Sequence, residues 1–153
     1  MGIFTLKTHQ IVKTSLDEAW DFFSSPANLK VITPPTMGFD IITKEVADKM
    51  YEGQIIAYKV KPLLGIPMTW VTEITHVKDH QFFVDEQRKG PYSMWHHEHH
   101  FKDVTEGVEM IDIISYIPPM GFLGTIANQI LIKNQLKTIF DFRFQKVEAL
   151  FNK

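Results

Sequence analysis

The stretch Trp95-His96-His97-Glu98-His99-His100-Phe101-Lys102-Asp103-Val104-Thr105-Glu106-Gly107-Val108-Glu109-Met110-Ile111-Asp112-Ile113-Ile114-Ser115-Tyr116 carries two alternating runs on either side of a short polar turn. Alternation with period two marks a half-buried strand, so residues 92–103 and 107–117 are predicted as strands. A turn at 104–107 makes the pair antiparallel and sets Phe101 opposite Met110, His99 opposite Asp112, His97 opposite Ile114 and Trp95 opposite Tyr116. Trp95, His97, His99 and Phe101 share one face, and their aromatic brackets mark it as the inner one. Met94, His96, Glu98 and His100 take the other.

Working outward, the same signals predict a meander. Residues 3–13 form a first strand, and further strands are expected at 38–46, 53–61, 68–78 and 81–88. Asp79-His80 and Lys89-Gly90-Pro91 suit hairpin turns, whereas Pro62-Leu63-Leu64-Gly65-Ile66-Pro67 reads as an apolar loop bounded by prolines. Ser15-Leu16-Asp17-Glu18 is a capping box that opens a short helix. Ser25-Pro26 opens a second one, which Pro34-Pro35 ends. From 122 to 152, apolar residues recur at Ile126, Ile130, Leu136, Phe140, Phe144, Val147 and Phe151, the rhythm of one helix of roughly 46 Å. Asn128, Lys133, Asn134 and Lys137 interrupt it too often for a bilayer span, so its apolar stripe is expected against the sheet. The predicted class is α+β: a curved seven-stranded antiparallel sheet around a long C-terminal helix, with two short helices after the first strand. Such a sheet leaves a cavity wherever bulky side chains do not fill it.

Composition narrows the functional classes. A chain of 153 residues, 44% hydrophobic and 22% charged, reads as one globular domain over 1–153. Sixteen basic residues against eighteen acidic ones give a net charge of -2, without the basic run that nucleic acid or an anionic membrane requires. Neither nucleic-acid binding nor stable membrane insertion is expected. The chain has no cysteine, so thiolate chemistry and disulfides are excluded. The strand pattern at the start lacks a signal-peptide profile, and Leu6 breaks a myristoylation motif after Met1-Gly2, so a cytoplasmic location is expected.

Three readings are open for the His99 and Asp112 pair: a polar contact fixing strand register, an anchor for a ligand, or an acid/base pair, alone or with His97. Metal ligation is conceivable at His97-x-His99 and at His96-x-Glu98-x-His100, but no helical His-x-x-x-His or cysteine set accompanies them. The expectation is therefore no metal and no cofactor. A second polar group, Asp85 and Gln87, shares a face with Phe83, Trp70, Thr72 and Ile74. Tyr92, Trp95, Tyr116 and Trp70 are expected as core or cavity wall.

Together, Asp85-Glu86-Gln87, Gly90-Pro91-Tyr92, Trp95-x-His97-x-His99-x-Phe101, Asp112, Tyr116 and Pro118 resemble the SRPBCC ligand-binding family of the START and polyketide-cyclase-like superfamily. Trp20, Phe23, Pro26, Asn28-Leu29, Pro34 and Met37 match its opening, and Gly53 and Trp70 its middle. The resemblance implies a helix-grip fold with a hydrophobic cavity beneath the long helix. It implies little about chemistry, since that superfamily spans carriers, receptors and cyclases; the leading expectation, supported by aromatic inward faces with few charges, is a binding module for a lipid, isoprenoid, quinone or polyketide-like aromatic, acting as carrier or sensor. Expected ligand contacts are Trp70, Phe83, Asp85, Gln87, Tyr92, Trp95, His97, His99, Phe101, Asp112, Tyr116, Ile126 and Ile130, behind a gate at Leu63, Leu64, Gly65, Gly121 and Gly124. The alternatives are a cyclase, dehydratase or hydrolase using His99, Asp112 or His97, and an interaction domain, monomeric or dimeric, using the Leu63-Leu64 loop.

Overall fold

In the computed structural model, which describes residues 2–121, 123, 126 and 128–153 apart from the side chains of Leu63, Asn128 and Gln129, the chain begins with strand β1 (Phe4–Val12). Helix α1 (Leu16–Phe23) follows. Its N-terminus is capped as the sequence predicts: Glu18 N–H donates to Ser15 Oγ at 3.2 Å, while the Glu18 carboxylate turns back to the Ser15 backbone and the Thr14 hydroxyl. Short 3₁₀ turns at Pro26–Lys30 and Pro35–Met37 complete the link to the meander.

The sheet consists of β1, β2 (Asp40–Ile41), β3 (Ile55–Leu63), β4 (Ile66–Lys78), β5 (Phe82–Lys89), β6 (Met94–Val104) and β7 (Gly107–Ile117). Its order is β1-β7-β6-β5-β4-β3-β2, with every neighbouring pair antiparallel. The predicted β6–β7 register holds at each of the four pairs, from Trp95 with Tyr116 to Phe101 with Met110. β7 then pairs with β1, so β1 and β2, consecutive in the chain, form the two edges of the sheet.

Four expectations need correction. The strand at 38–46 is only two residues long, because Ala57 N–H donates to Thr43 Oγ1 at 2.8 Å and this side chain takes the place of the next ladder carbonyl. The Pro62–Pro67 segment is a hairpin tip instead of a loop: Leu63 pairs with Ile66 across Leu64 (φ 50) and Gly65 (φ 68), the left-handed pair that a two-residue turn requires. The register shifts between Val60 and Leu63, next to Pro62, which has no N–H to give the ladder. The β4–β5 turn is one residue longer than Asp79-His80, with Gln81 added. A bulge at Thr75 restores the parity, so Thr72 still faces Gln87 and Ile74 still faces Asp85.

The fourth correction concerns the long helix. A π-helical turn at Asn128–Ile132 precedes the regular helix α2 (Lys133–Phe151). Ile132, Leu136, Phe140 and Val147 face the sheet, while Ile126, Ile130 and Phe144 of the expected stripe are exposed, and the extra residue of the π turn moves Ile126 further out of phase. The C-terminal half is tied to β1: Gln10 Nε2 donates to Glu148 Oε1 at 2.9 Å and to Phe144 O at 3.0 Å, and Asn152 Nδ2 donates to Ile11 O at 2.9 Å.

Buried side chains form two clusters. One joins Trp20 and Phe23 of α1 to Phe83, Phe101, Val108, Met110 and Val147. The other gathers Trp70, Tyr92, Trp95, Tyr116, Leu136 and Phe140. Where β7 begins, Gly107 has φ +136, and a Cβ there would stand 2.1 Å from the Val12 carbonyl oxygen. Gly107→Ala is therefore expected to lower stability by about 3 kcal/mol through backbone strain and a fixed clash. Urea denaturation measures this, and a neutral variant would contradict the geometry.

Candidate functional site

Beneath α2 the inner face of the sheet does not close. A cavity of about 140 Å³ remains, walled by Tyr58 and Val60 of β3, Trp70 of β4, Tyr92, Trp95 of β6, and Leu136, Ile139 and Phe140 of α2. These side chains are there because the strand alternation sends every second residue inward, and the ones sent inward are mostly aromatic. Tyr92 and Trp95 pack with ring centroids 4.8 Å apart, and Trp95 meets Trp70 edge-on at 5.3 Å. Burial pushes the hydroxyls of Tyr58 and Tyr92 well above the usual tyrosine range, so both stay protonated. The indole Nε1 of Trp70 is buried and has no hydrogen-bond partner among the described residues.

At one end of this apolar wall sit Asp85, His97, His99 and Arg143. β6 places the two imidazoles two residues apart on its inner face, with ring centroids 3.7 Å apart. β5 brings Asp85 across from His97, and β7 brings Asp112 across from His99. His99 Nε2 lies 2.7 Å from Asp85 Oδ2, and His97 Nε2 lies 3.1 Å from Asp112 Oδ1. The remaining ring nitrogens face the opposite carboxylates: His97 Nδ1 is 3.6 Å from Asp85 Oδ2, and His99 Nδ1 is 2.9 Å from Asp112 Oδ1. This last approach misses the direction of an N–H bond, and His99 Nδ1 makes no hydrogen bond among the described residues. Arg143 Nη2 donates to Asp112 Oδ1 at 3.4 Å, and the Thr8 hydroxyl donates to its Oδ2 at 3.5 Å.

Electrostatics follow from this packing. Burial by itself would raise the Asp112 carboxyl, but Arg143 and the two histidines outweigh it and hold the group well below the usual carboxylate range. Burial likewise works against Asp85, and the bond from His99 with the fields of His97 and Arg143 keeps it low. The imidazoles separate. Burial and the neighbouring His99 push His97 down, whereas for His99 the two carboxylates overcome burial and push it up. Of the two rings, His99 is therefore the one that takes up an additional proton first.

The structure brings Trp70, Phe83, Asp85, Tyr92, Trp95, His97 and His99 together on the cavity wall. It places the other expected contacts elsewhere. Gln87 clamps its own turn, with Nε2 donating to Tyr92 O at 2.7 Å and Oε1 accepting from Tyr92 N at 3.2 Å. Phe101 belongs to the packed cluster under α1, Tyr116 lies behind Tyr92, and Asp112 sits behind the histidines. Ile126, before the π-helical turn, and Ile130, within it, are exposed. Of the expected gate, Leu64 is 76% exposed and Gly65 forms the hairpin tip, while Gly121 has φ 53. The Leu63 side chain and Gly124 lie outside the described residues.

Arg143 is the charged side chain of the candidate site that the sequence reading missed, and Tyr58 and Ile139 of the cavity wall went unnamed with it. Its signal is a cation within the stripe Leu136, Phe140, Arg143, Val147, on the helix face that packs against the sheet. Its side chain is 12% exposed against 9% for Asp112, so removing it strands a buried carboxylate. Arg143→Met is expected to cost about 3 kcal/mol. The double variant with Asp112→Asn is expected to cost less than the two single losses added together. Additive losses in a urea-denaturation cycle would show that the two groups do not interact.

No protein-family model matches the chain, and no curated protein matches it by sequence. Solved structures do resemble it. Protein CV1439 from Chromobacterium violaceum aligns with a TM-score of 0.72 at 12% identity, covering 97% of this chain and 98% of that one. Protein Ms6760 from Mycobacterium smegmatis aligns at 0.67 and 16% identity, covering 95% and 89%. Major latex-like protein 151 from Panax ginseng aligns at 0.69 and 13% identity, covering 97% of each chain. At these identities the likeness is one of fold, and the fold is the helix-grip arrangement of a curved antiparallel sheet and a long C-terminal helix.

Proposed function

We propose that this chain is an SRPBCC-type binding protein that holds an apolar, oxygen-bearing small molecule in the cavity beneath α2, as a carrier or sensor. The observation that carries this reading is the unpaired Trp70 Nε1 in an otherwise apolar wall. A buried donor left unpaired costs about 1–3 kcal/mol, and an acceptor oxygen on the occupant removes that cost. Size narrows the class. At about 140 Å³ the space matches a cavity that takes one small aromatic ring, so a quinone, a polyketide-like aromatic or the end of an isoprenoid suits it better than a whole sterol. The proposal includes a cytoplasmic location and no nucleic-acid partner. No helix among the described residues is long and apolar enough to cross a membrane.

Access would come through the β3–β4 tip. Gln135 Nε2 of α2 donates to Pro62 O there, and one neutral hydrogen bond contributes only about 1 kcal/mol. Leu64→Asp, at an exposed position, is expected to slow uptake in stopped-flow fluorescence while leaving the denaturation midpoint unchanged. Unchanged uptake would remove the tip from the gate.

A second reading, acid/base catalysis on the bound molecule, is favoured by one observation: His99, bonded to Asp85, faces the cavity. The two readings separate on turnover, because under catalysis His99→Ala keeps binding and loses product. The test of binding itself uses 1,4-naphthoquinone. Titration is expected to quench tryptophan emission, since Trp70 and Trp95 form the wall, and Ile139→Phe is expected to weaken binding at least tenfold by filling the space. Equal affinity in the two proteins would place the quinone elsewhere and sink the cavity reading. Native mass spectrometry of freshly purified protein, followed by solvent extraction, then identifies the natural occupant.

A further inference from the structure

We propose that Asp85, His97 and His99 form a site for one divalent transition-metal ion of the zinc class, with its open coordination position facing the apolar cavity. Asp85 Oδ2 and one nitrogen of each imidazole lie within 4.8 Å of one another. One carboxylate with two imidazoles is a donor set that first-row divalent ions accept, and an incomplete set leaves room for a further ligand. Three donors at roughly 2.1 Å from one ion stand roughly 3 to 3.4 Å apart. Asp85 Oδ2 is 2.7 Å from His99 Nε2 and 3.6 Å from His97 Nδ1, so small side-chain shifts bring the oxygen to bonding distance.

A second observation is independent of that spacing. The three donors line the cavity, whereas Asp112 does not. Asp112 stands behind both rings, with one oxygen 3.1 Å from His97 Nε2 and 2.9 Å from His99 Nδ1. These are the nitrogens that point away from Asp85. A carboxylate on the far nitrogen is what fixes the orientation and tautomer of a metal-binding histidine, and here Asp112 does this for His97, while His99 Nδ1 faces the same oxygen without a hydrogen bond among the described residues. The bond to Asp112 turns the His97 Nδ1 lone pair toward Asp85 Oδ2, and an ion held there takes the place of the proton that His99 Nε2 shares with the same oxygen.

Charge counting gives the class of the fourth ligand. Asp85 and Asp112 against Arg143 leave one negative charge in excess. A divalent ion turns this into one positive charge, which a hydroxide or an enolate, phenolate or carboxylate oxygen of the occupant cancels. Only this last step rests on the proposed binding function. The outward histidines offer no comparable site: His96 bonds Glu86 at 2.8 Å and His100 bonds Glu98 at 2.8 Å, on the solvent face.

The experiment strips the full-length protein with a chelator and titrates it with Co²⁺, following ligand-field absorption and calorimetry. One ion per chain is expected, with the spectrum of nitrogen and oxygen ligation. Asp85→Asn, an isosteric change, and His97→Ala are expected to remove the spectrum. Asp112→Asn is expected to keep it with roughly 10- to 100-fold weaker affinity. His96→Ala with His100→Ala is expected to leave it unchanged. Circular dichroism confirms folding of each variant, and should His97→Ala fail to fold, Asp85→Asn decides. Absence of stoichiometric Co²⁺ binding, or its loss in the outward-histidine variant alone, overturns the site. Naphthoquinone binding measured on the stripped protein separates the two proposals. If it persists while Co²⁺ fails, only the metal site falls, and if Ile139→Phe blocks the quinone while Co²⁺ still binds, the metal site stands.

Discussion

The carboxylates of Asp85 and Asp112 stand inside an apolar sheet, where an unpaired charge costs several kcal/mol. What makes them tolerable is the arrangement around them: two imidazoles packed between them and one guanidinium from the helix. Three strands and α2 must therefore sit in one relative position. A slip of one residue in β6 would turn both histidines to solvent and leave both carboxylates stranded. The network thus acts as a register lock for β5, β6 and β7, and through Arg143 it sets the depth of the helix as well.

Much of this is legible in the sequence. The alternation in 92–117 is regular and its turn short, which fixes the parity of both strands and by itself places His97, His99 and Asp112 on one face. Asp85 falls on the right face for a less secure reason: the longer turn at 79–81 and the bulge at Thr75 cancel. Two departures that compensate leave no trace in a parity argument. Which carboxylate each histidine bonds is not legible, because rings rotate about χ1 and χ2 and the pairing crosses from the expected His99–Asp112 to His97–Asp112 and His99–Asp85.

The helix shows where periodicity stops being informative. Positions 136, 140 and 147 keep one face, but 130 stands six residues before 136, which at about 100° per residue already turns it roughly 120° away from that face. A π-helical turn at 128–132 adds one residue to the ladder and carries Ile126 further out of phase. The six-residue gap between 130 and 136 is the sign of that break, and a list of recurring apolar positions passes over it. Arg143 escapes notice for the opposite reason: a single cation in an apolar stripe reads as a surface residue until its carboxylate, 31 positions earlier, is seen beneath it.

The polar cluster also marks a boundary inside the molecule. On one side Trp20, Phe23, Phe101 and Val147 fill the space between α1, the sheet and the end of α2. On the other, Trp70, Tyr92, Trp95, Leu136 and Phe140 leave it open. Phe83, which belongs to the packed cluster and also lines the cavity, stacks on His99 at 4.1 Å, and Phe140 meets His97 edge-on at 5.8 Å from the open side. The filled half supplies the packing that holds both rings in one orientation, and the open half leaves their polar edges within reach of an occupant. A site whose donors are fixed before anything arrives spends little of the binding energy on ordering them. In this fold that preorganisation follows from putting bulky side chains in only half of the space the helix and sheet enclose.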